Sequence, residues 1–205
     1  MRALGDPLSA RARPSLSAMP QVNAFAPDVA ALYRTYAAKV GRWAARLGGP
    51  SIEVEDVVQE VFLVAKRRLP AFRTDGGGSV TTWLFRATER IVKAARRKQR
   101  LRRLFGVAPA DDAAGAAMAG PIPSDDLERR QEIAHVYRVL DRLPERQRKV
   151  LILFELEGLS THDIATLIGA RVGTVRVWLY RARAAFLQQH EAITARDRNA
   201  EDETR

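Results

Sequence analysis

The 205-residue sequence contains no cysteine. This absence excludes disulfide bonds, thiolate metal sites and a cysteine nucleophile, and it fits a reducing compartment. No apolar run approaches the roughly 18 residues that a transmembrane helix needs, so we expect no membrane span. The N-terminus lacks the apolar core of a secretory signal. Histidine is scarce, and His135, His162 and His190 are scattered without acids at ligand spacing, so we expect neither a zinc site nor a cofactor.

Positive charge, by contrast, is in excess. The sequence has 34 Lys and Arg against 24 Asp and Glu, which gives a formal net charge of +10. Such a balance favours a polyanionic partner, either nucleic acid or an anionic membrane surface. The length allows one domain or two small ones, and a hydrophobic content of 46% is enough for a folded core.

Residues 159–186 predict a short helix, a tight turn and a longer basic helix. Ser160 suits an N-cap with Asp163 completing a capping box, and Gly169 can adopt the left-handed conformation that ends a helix. The second helix has an apolar side of Val175, Trp178, Leu179, Ala182 and Phe186, and an outer side of Thr174, Val177, Tyr180 and Arg181 flanked by Arg176 and Arg183. This pattern favours the DNA-reading helix of a helix-turn-helix over a helical hairpin with a solvated basic face.

The rest of the chain also carries helical periodicity. Hydrophobic spacing and stop signals predict helices near 28–47, 53–69 and 80–103, and helices again from 127 onward. We therefore expect an all-α chain of two small helical domains joined by a flexible linker, the second a helix-turn-helix domain. The expected boundaries are 1–26 for a flexible tail, 27–103 for the first domain, 104–126 for the linker, 127–190 for the second domain and 191–205 for a frayed tail.

The predicted helix 80–103 is strongly basic, with Glu89 as its single acid. Aromatic residues beside this much positive charge suit phosphate contacts and base stacking. A solvated face is the plain alternative, and a membrane-surface helix is disfavoured because the apolar side is mostly alanine. The preceding loop 71–79 holds three glycines but lacks the lysine and the spacing of a phosphate-binding loop, which excludes nucleotide binding there.

The predicted helix 53–69 places Glu53, Asp56 and Glu60 near one another. These acids allow a metal or acid–base site, a solvated acidic face, or a protein-docking face. No histidine supports the first alternative. The helix also has more apolar residues than one buried stripe requires, which favours docking; they are Val54, Val57, Val58, Val61, Phe62 and Ala65.

The order of these segments resembles the sigma-70 family of bacterial transcription initiation factors, and most of all its small two-domain extracytoplasmic-function (ECF) group. Residues 55–62 resemble the helix of region 2 that grips core RNA polymerase. Phe72-Arg73 followed by residues 82–86 resembles the promoter-melting segment. Residues 143–151 and 157–183 resemble region 4. Each stretch alone is moderately specific, whereas the three in this order with a linker between are highly specific.

The resemblance implies an alternative sigma factor rather than an enzyme. It implies a cytoplasmic, nucleoid-associated protein whose partners are core RNA polymerase, double-stranded promoter DNA, the melted −10 strand and an anti-sigma factor. The implied polymerase contacts are Asp56, Val57, Gln59, Glu60 and Phe62. The implied contacts for −10 recognition and melting are Phe72, Arg73, Trp83, Arg86, Arg90, Lys93 and Arg97. The implied −35 contacts are Thr174, Arg176, Val177, Tyr180, Arg181 and Arg183.

The sequence departs from this family at several positions. Arg90 stands where Asn is usual and Ala94 where Asp is usual, while Val177 and Trp178 replace a common Ser and Arg. These differences leave the promoter sequence open. Two rival functions remain, a freestanding helix-turn-helix regulator and an interaction module such as a sigma-like decoy. The docking helix argues against the first, and run-off transcription separates the second.

Overall fold

Seven α-helices form the regular structure within residues 29–68, 79–105 and 124–203, the ranges that this computed structural model describes. The predicted N-terminal tail, the glycine-rich loop with Phe72 and Arg73, and most of the predicted linker lie outside the described residues. The helices are α1 (Val29–Gly48), α2 (Val54–Arg68), α3 (Val80–Leu104), α4 (Ser124–Leu140), α5 (Glu145–Leu151), which continues into a π-helical turn (Ile152–Leu156), α6 (Thr161–Ile168) and α7 (Val172–Glu203).

Helices α1, α2 and α3 pack against one another as a first bundle. Trp43 of α1 and Phe85 of α3 are fully buried and meet edge to face, with ring centroids 5.2 Å apart. Ser79 caps α3, because its side chain accepts a hydrogen bond from the Thr82 backbone NH at 3.1 Å. The all-α prediction is confirmed for the first half of the described chain.

Helical spacing predicts that Trp83, Leu84, Ala87, Ile91 and Ala94 form the inward face of α3, and the structure differs from this prediction. Leu84, Ala87 and Ile91 are buried as expected, but Trp83 is half-buried and Ala94 is exposed. The buried positions also include Phe85, Thr88 and Val92, which were not predicted. The buried stripe is therefore wider than the predicted one, because α3 contacts both α1 and α2 on one side and α6 beyond them.

Helices α4 to α7 form a second bundle around the helix-turn-helix of α6 and α7. Ser160 caps α6 by accepting from the Asp163 NH at 3.1 Å, and its hydroxyl also lies 2.7 Å from the Asp163 carboxylate. Gly169 ends α6 at φ 70°, in the left-handed region that the sequence predicted. This cap geometry fixes the turn that orients α7.

The expected frayed tail 191–205 is wrong for most of its length, since α7 continues to Glu203. Ile193 is buried, and two polar contacts tie the C-terminal part of α7 to α4. His135 Nε2 and His190 Nδ1 lie 2.8 Å apart, and Arg138 Nη2 donates to Asp197 at 3.0 Å. Packing and cross-helix pairing thus extend a segment whose polar composition predicted fraying.

The two bundles are in contact. Their buried residues form one continuous hydrophobic cluster, and α3 packs against α6 while α1 meets the π-helical turn. No helix in the described ranges is both long and apolar enough to cross a membrane. Among the residues that the structure describes, no group of three or more His, Cys, Asp and Glu side chains could hold a metal ion.

Replacing Gly169 by alanine is expected to lower the melting temperature of the full-length protein by about 2 to 8 °C. A side chain at φ 70° costs roughly 1–2 kcal/mol, and a Cβ there would lie 2.8 Å from Arg86 Nη2. Gly173→Ala is the matched control, because a Cβ at Gly173 meets nothing within 4 Å. Equal melting temperatures for the two variants would contradict the strained turn.

Candidate nucleic-acid interface

Helix α7 is anchored in the second bundle by one apolar side. Val175, Leu179 and Ala182 are buried, and they face α5 and α6. Trp178 is half-buried beneath the Arg146 guanidinium, which lies 5.6 Å from the ring centroid. The predicted inner side is therefore the one that packs, and the helix cannot rotate without exposing it.

The opposite side of α7 faces solvent. Tyr180 is 77% exposed and Val177 is 48% exposed, while Arg176 and Arg181 are exposed and Thr174 is half-buried. Within the described residues, neither Arg176 nor Arg181 forms an ion pair. The outer side thus offers two free guanidinium groups, an aromatic ring and a β-branched residue at the spacing of one helix face.

Arg183, by contrast, is engaged within the protein. Its Nε and Nη2 donate to Glu155 Oε1 at 3.0 and 2.8 Å, and its guanidinium lies 5.0 Å from the centre of the Phe154 ring. These contacts hold α7 against the π-helical turn. A DNA contact by Arg183 would require that it leave or share Glu155, so the predicted role fits this residue less well than its neighbours.

The predicted −10 residues of α3 lie on its outer, basic side. Arg86, Arg90, Lys93 and Arg97 are exposed. Two of them already contact the second bundle, because Lys93 Nζ donates to Glu145 Oε2 at 2.9 Å and the Arg86 side chain lies over Gly169. The structure therefore brings the expected −10 surface against the helix-turn-helix.

The predicted docking residues of α2 separate into two sets. Asp56, Gln59 and Glu60 are exposed. Val57 is only 3% exposed and Phe62 only 6% exposed, and Phe62 also packs edge to face on Tyr33 with centroids 4.8 Å apart. The expectation that these two apolar side chains are free for docking is wrong in this conformation, because they belong to the core of the first bundle.

The apolar residue that α2 does expose is Leu63, at 48%. The sequence did not single out Leu63, because apolar residues are so frequent on this helix that spacing alone does not show which one is exposed. A 100° step per residue places Leu63 beside Gln59 and Glu60 on the helix surface. The exposed side of α2 is therefore acidic and amide-bearing with one leucine at its edge.

Polar contacts between the bundles converge on the C-terminal end of α1. Arg96 of α3 donates to the Gly48 carbonyl at 3.0 Å, and Arg148 of α5 donates to the Leu47 carbonyl at 3.0 Å. Both arginines also pair with Asp141, at 2.6 and 3.4 Å respectively. Arginines from two bundles thus satisfy the open carbonyls that a helix leaves at its end.

A second set of contacts flanks this junction. Arg46 pairs with Glu157 at 2.9 Å, and the Tyr137 hydroxyl donates to the Arg46 carbonyl at 3.1 Å. Lys149 pairs with Glu89, the single acid of the basic helix α3. None of these roles was predicted from the sequence, where the residues carry no signal beyond helical charge patterning.

Burial at the junction shifts the pKa of two charged groups. Desolvation lowers the pKa of Arg148 to about 10, and the neighbouring Arg96 guanidinium acts in the same direction. Desolvation likewise raises the pKa of Glu157, against the opposing effect of Arg46. Arg148 remains charged at neutral pH, so two guanidinium groups share one carboxylate at the boundary between the bundles.

Comparisons with known proteins agree with this architecture. The family described as Sigma-70 region 2 matches residues 32–102, and the family described as Sigma-70, region 4 matches residues 134–186. The chain is 35% identical to the ECF RNA polymerase sigma-E factor of Escherichia coli strain K12 over 141 residues, which cover 66% of this chain and 73% of that protein.

Two further matches extend the comparison. The ECF RNA polymerase sigma factor SigE of Mycolicibacterium smegmatis is 30% identical over 173 residues, covering 80% of this chain and 63% of that protein. The structure of CnrH in complex with the cytosolic domain of CnrY superposes with a TM-score of 0.54 at 25% identity, covering 80% of this chain and 88% of that chain.

Proposed function

The chain belongs to the sigma-70 family, and from that premise we propose which of its surfaces bind RNA polymerase and which bind promoter DNA. It is an alternative sigma factor of the ECF group, which directs promoter recognition together with RNA polymerase. We assign region 2 to residues 27–103, the linker to 104–126 and region 4 to 127–190. The polymerase carries out RNA synthesis, and we place the complex on the nucleoid in the cytoplasm.

We assign −35 recognition to the outer side of α7, and this exposed face is the observation that carries the proposal. A helix that buries one side and presents unpaired arginines on the other has the geometry needed to enter the major groove. Arg176 and Arg181 can each donate two hydrogen bonds to a guanine edge, while Thr174 and Val177 can contact a thymine methyl group. Tyr180 is placed to contact the DNA backbone.

We assign −10 recognition to α3 and to the loop before it. Arg86, Arg90, Lys93 and Arg97 supply a row of positive charge, and Trp83 borders the loop side of the helix. Phe72 and Arg73 are assigned to melting through the family resemblance. Because Lys93 and Arg86 contact the second bundle in this conformation, we infer that the bundles separate when α3 binds DNA.

We assign core-polymerase docking to the exposed side of α2, formed by Asp56, Gln59, Glu60 and Leu63. Carboxylates on such a face favour a basic partner surface and set the register of docking. Val57 and Phe62 support this face from beneath by packing against the rest of the first bundle. Their predicted role in docking therefore becomes indirect in this proposal.

We further propose that an anti-sigma factor binds this chain. The CnrH structure is a complex with the cytosolic domain of CnrY, so a chain of this fold can present a surface for a protein partner. An apolar groove of about 530 Å³ runs between α4, the π-helical turn and α7. Leu140, Leu156, Phe186 and Leu187 line it, which suits the apolar side of an amphipathic helix.

Run-off transcription with purified core RNA polymerase tests the proposed function. Addition of the chain should yield transcripts whose 5′ ends map downstream of shared promoter elements, and core polymerase alone should yield none. Sequence-specific DNA binding that needs no polymerase, without transcripts, would identify a freestanding regulator instead. Tight polymerase binding without open complexes would identify a decoy.

Substitution of a base-reading arginine in α7 should relax promoter preference at one base pair. Loss of a bidentate guanine contact is expected to cost about 1–3 kcal/mol of discrimination, whereas loss of a phosphate contact should weaken all sequences alike and reduce the salt slope by about one. Arg176→Ala and Arg181→Ala holoenzymes are titrated against point-mutated −35 elements at two salt concentrations. Binding unchanged in both variants would mean that another side of α7 faces the DNA.

A further inference from the structure

A cleft lies between α3 of the first bundle and α5 of the second, with a cavity of about 300 Å³. Six basic side chains line it, namely Lys93, Arg96, Arg97, Arg100, Arg148 and Lys149. Only three carboxylates face them, from Glu89, Asp141 and Glu145. Three positive charges are therefore unbalanced along a single half-open cleft.

The imbalance can be traced to particular groups. Lys93 pairs with Glu145 and Lys149 with Glu89, so these two charges are compensated. Arg96 and Arg148 share the one carboxylate of Asp141.

Arg97 and Arg100 form no ion pair within the described part of the chain. The uncompensated charge thus comes from Arg97 and Arg100 on α3, and from Arg96 and Arg148, which face each other across the cleft and share one carboxylate.

This arrangement costs stability when the cleft holds no anion. Lys93 and Arg97, and likewise Arg96 and Arg100, are like charges four residues apart on a helix, a spacing that is destabilising by a few tenths of a kcal/mol per pair. The side chains of Arg96 and Arg148 are only 14% and 12% exposed, so water screens their mutual repulsion poorly. A bound anion would relieve both effects.

The cleft wall also suits a compact polar ligand. Its apolar side is lined by Leu47, Val92, Leu143 and Ile152. An apolar wall lowers the local dielectric constant and so strengthens the attraction between the arginines and an anion. Guanidinium groups are planar donors that match phosphate oxygens in pairs. A cavity of this volume admits a diphosphate group but not a DNA duplex.

We propose that the cleft between α3 and α5 is a binding site for a small diphosphate-bearing anion, which Arg96, Arg97 and Arg100 of one bundle and Arg148 of the other would hold together. An anion with about three negative charges matches the excess. Because the ligand contacts both bundles, it stabilises the packed arrangement over any arrangement in which they separate. The ligand chemistry is that of inorganic pyrophosphate or of the phosphates of a nucleotide.

Calorimetric titration of the full-length protein with inorganic pyrophosphate tests the site, with sodium sulfate at equal ionic strength as the reference. Saturable binding at one site is expected, and pyrophosphate at a hundredfold excess over its Kd should raise the melting temperature by about 5 to 10 °C. GTP and a short single-stranded oligonucleotide are titrated in parallel, which separates a free diphosphate, a nucleotide and a DNA backbone as sources of the phosphates.

Arg100→Gln should weaken pyrophosphate binding roughly tenfold or more, since it removes a charge-assisted hydrogen bond. Lys98→Gln is the matched control, because Lys98 is exposed on the same helix and does not line the cleft. Equal weakening in both variants, an equal shift with sulfate, or binding of the oligonucleotide alone would each overturn the proposal. Transcription without added pyrophosphate is measured separately, so failure of the anion site and failure of the sigma function are distinguishable.

Discussion

Reversal of the charge of Glu60 is expected to reduce the affinity for core RNA polymerase by more than about a hundredfold while the protein stays folded. Glu60 is exposed on α2 beside Asp56 and Gln59. If this face meets a basic surface, a lysine there places like charges against each other at the interface, which costs several kcal/mol. The polymerase affinity of Glu60→Lys is measured by fluorescence anisotropy, and helical content by circular dichroism.

Two further variants make that result interpretable. Glu132→Lys changes an exposed acid of α4, away from α2, and it should bind polymerase almost normally. Phe62→Asp places a charge in the core and should lower the free energy of unfolding by several kcal/mol, so its failure to bind would report unfolding rather than docking. Normal polymerase binding by folded Glu60→Lys would remove the docking assignment.

The helices were predictable because their signals are local. Ser79 and Ser160 cap the helices that the sequence predicted, and Gly169 adopts the left-handed conformation expected at the helix-turn-helix. Such caps depend on residues within one turn of each other. The inner side of α7 was predictable for the same reason, since helical spacing alone defines it.

The solvent exposure of α2 was not predictable from spacing. Val57 and Phe62 lie on a helix whose apolar residues are too many for a single buried stripe. Which of these residues are buried depends on how Tyr33 and α3 pack against the helix. A hydrophobic pattern indicates that a residue favours burial. It does not indicate whether the residue is buried by its own chain or by a partner protein. The family resemblance named the docking helix, and the fold selects its exposed residues.

The contact between the bundles was also beyond the sequence. Arg96 and Asp141 are 45 residues apart in the sequence and lie in different bundles. Like Arg148, each of them resembles an ordinary surface charge. Their importance arises because the C-terminal end of α1 presents open carbonyl groups to both bundles. Non-local pairing of this kind leaves no periodic signal in a sequence.

Substitution of Asp141 by lysine is expected to separate the two bundles. The Asp141 carboxylate is the shared partner of Arg96 and Arg148, whose side chains are largely buried. Loss of one partner of a buried ion pair costs about 3–5 kcal/mol, and we expect roughly 1–3 kcal/mol here because Asp141 itself is 44% exposed. The radius of gyration from small-angle X-ray scattering should therefore increase in Asp141→Lys at low salt.

Separation of the bundles should also strengthen binding to −10 DNA. Lys93 and Arg86 contact the second bundle in the packed arrangement, so apparent DNA affinity is reduced by the fraction of molecules that are packed. A change of about 1.4 kcal/mol in that equilibrium alters the apparent affinity by up to tenfold.

Asp197→Lys is the matched control, since Asp197 pairs with Arg138 within the second bundle alone. An unchanged radius of gyration in Asp141→Lys, or equal gains in DNA affinity in both variants, would show that the junction does not restrain α3.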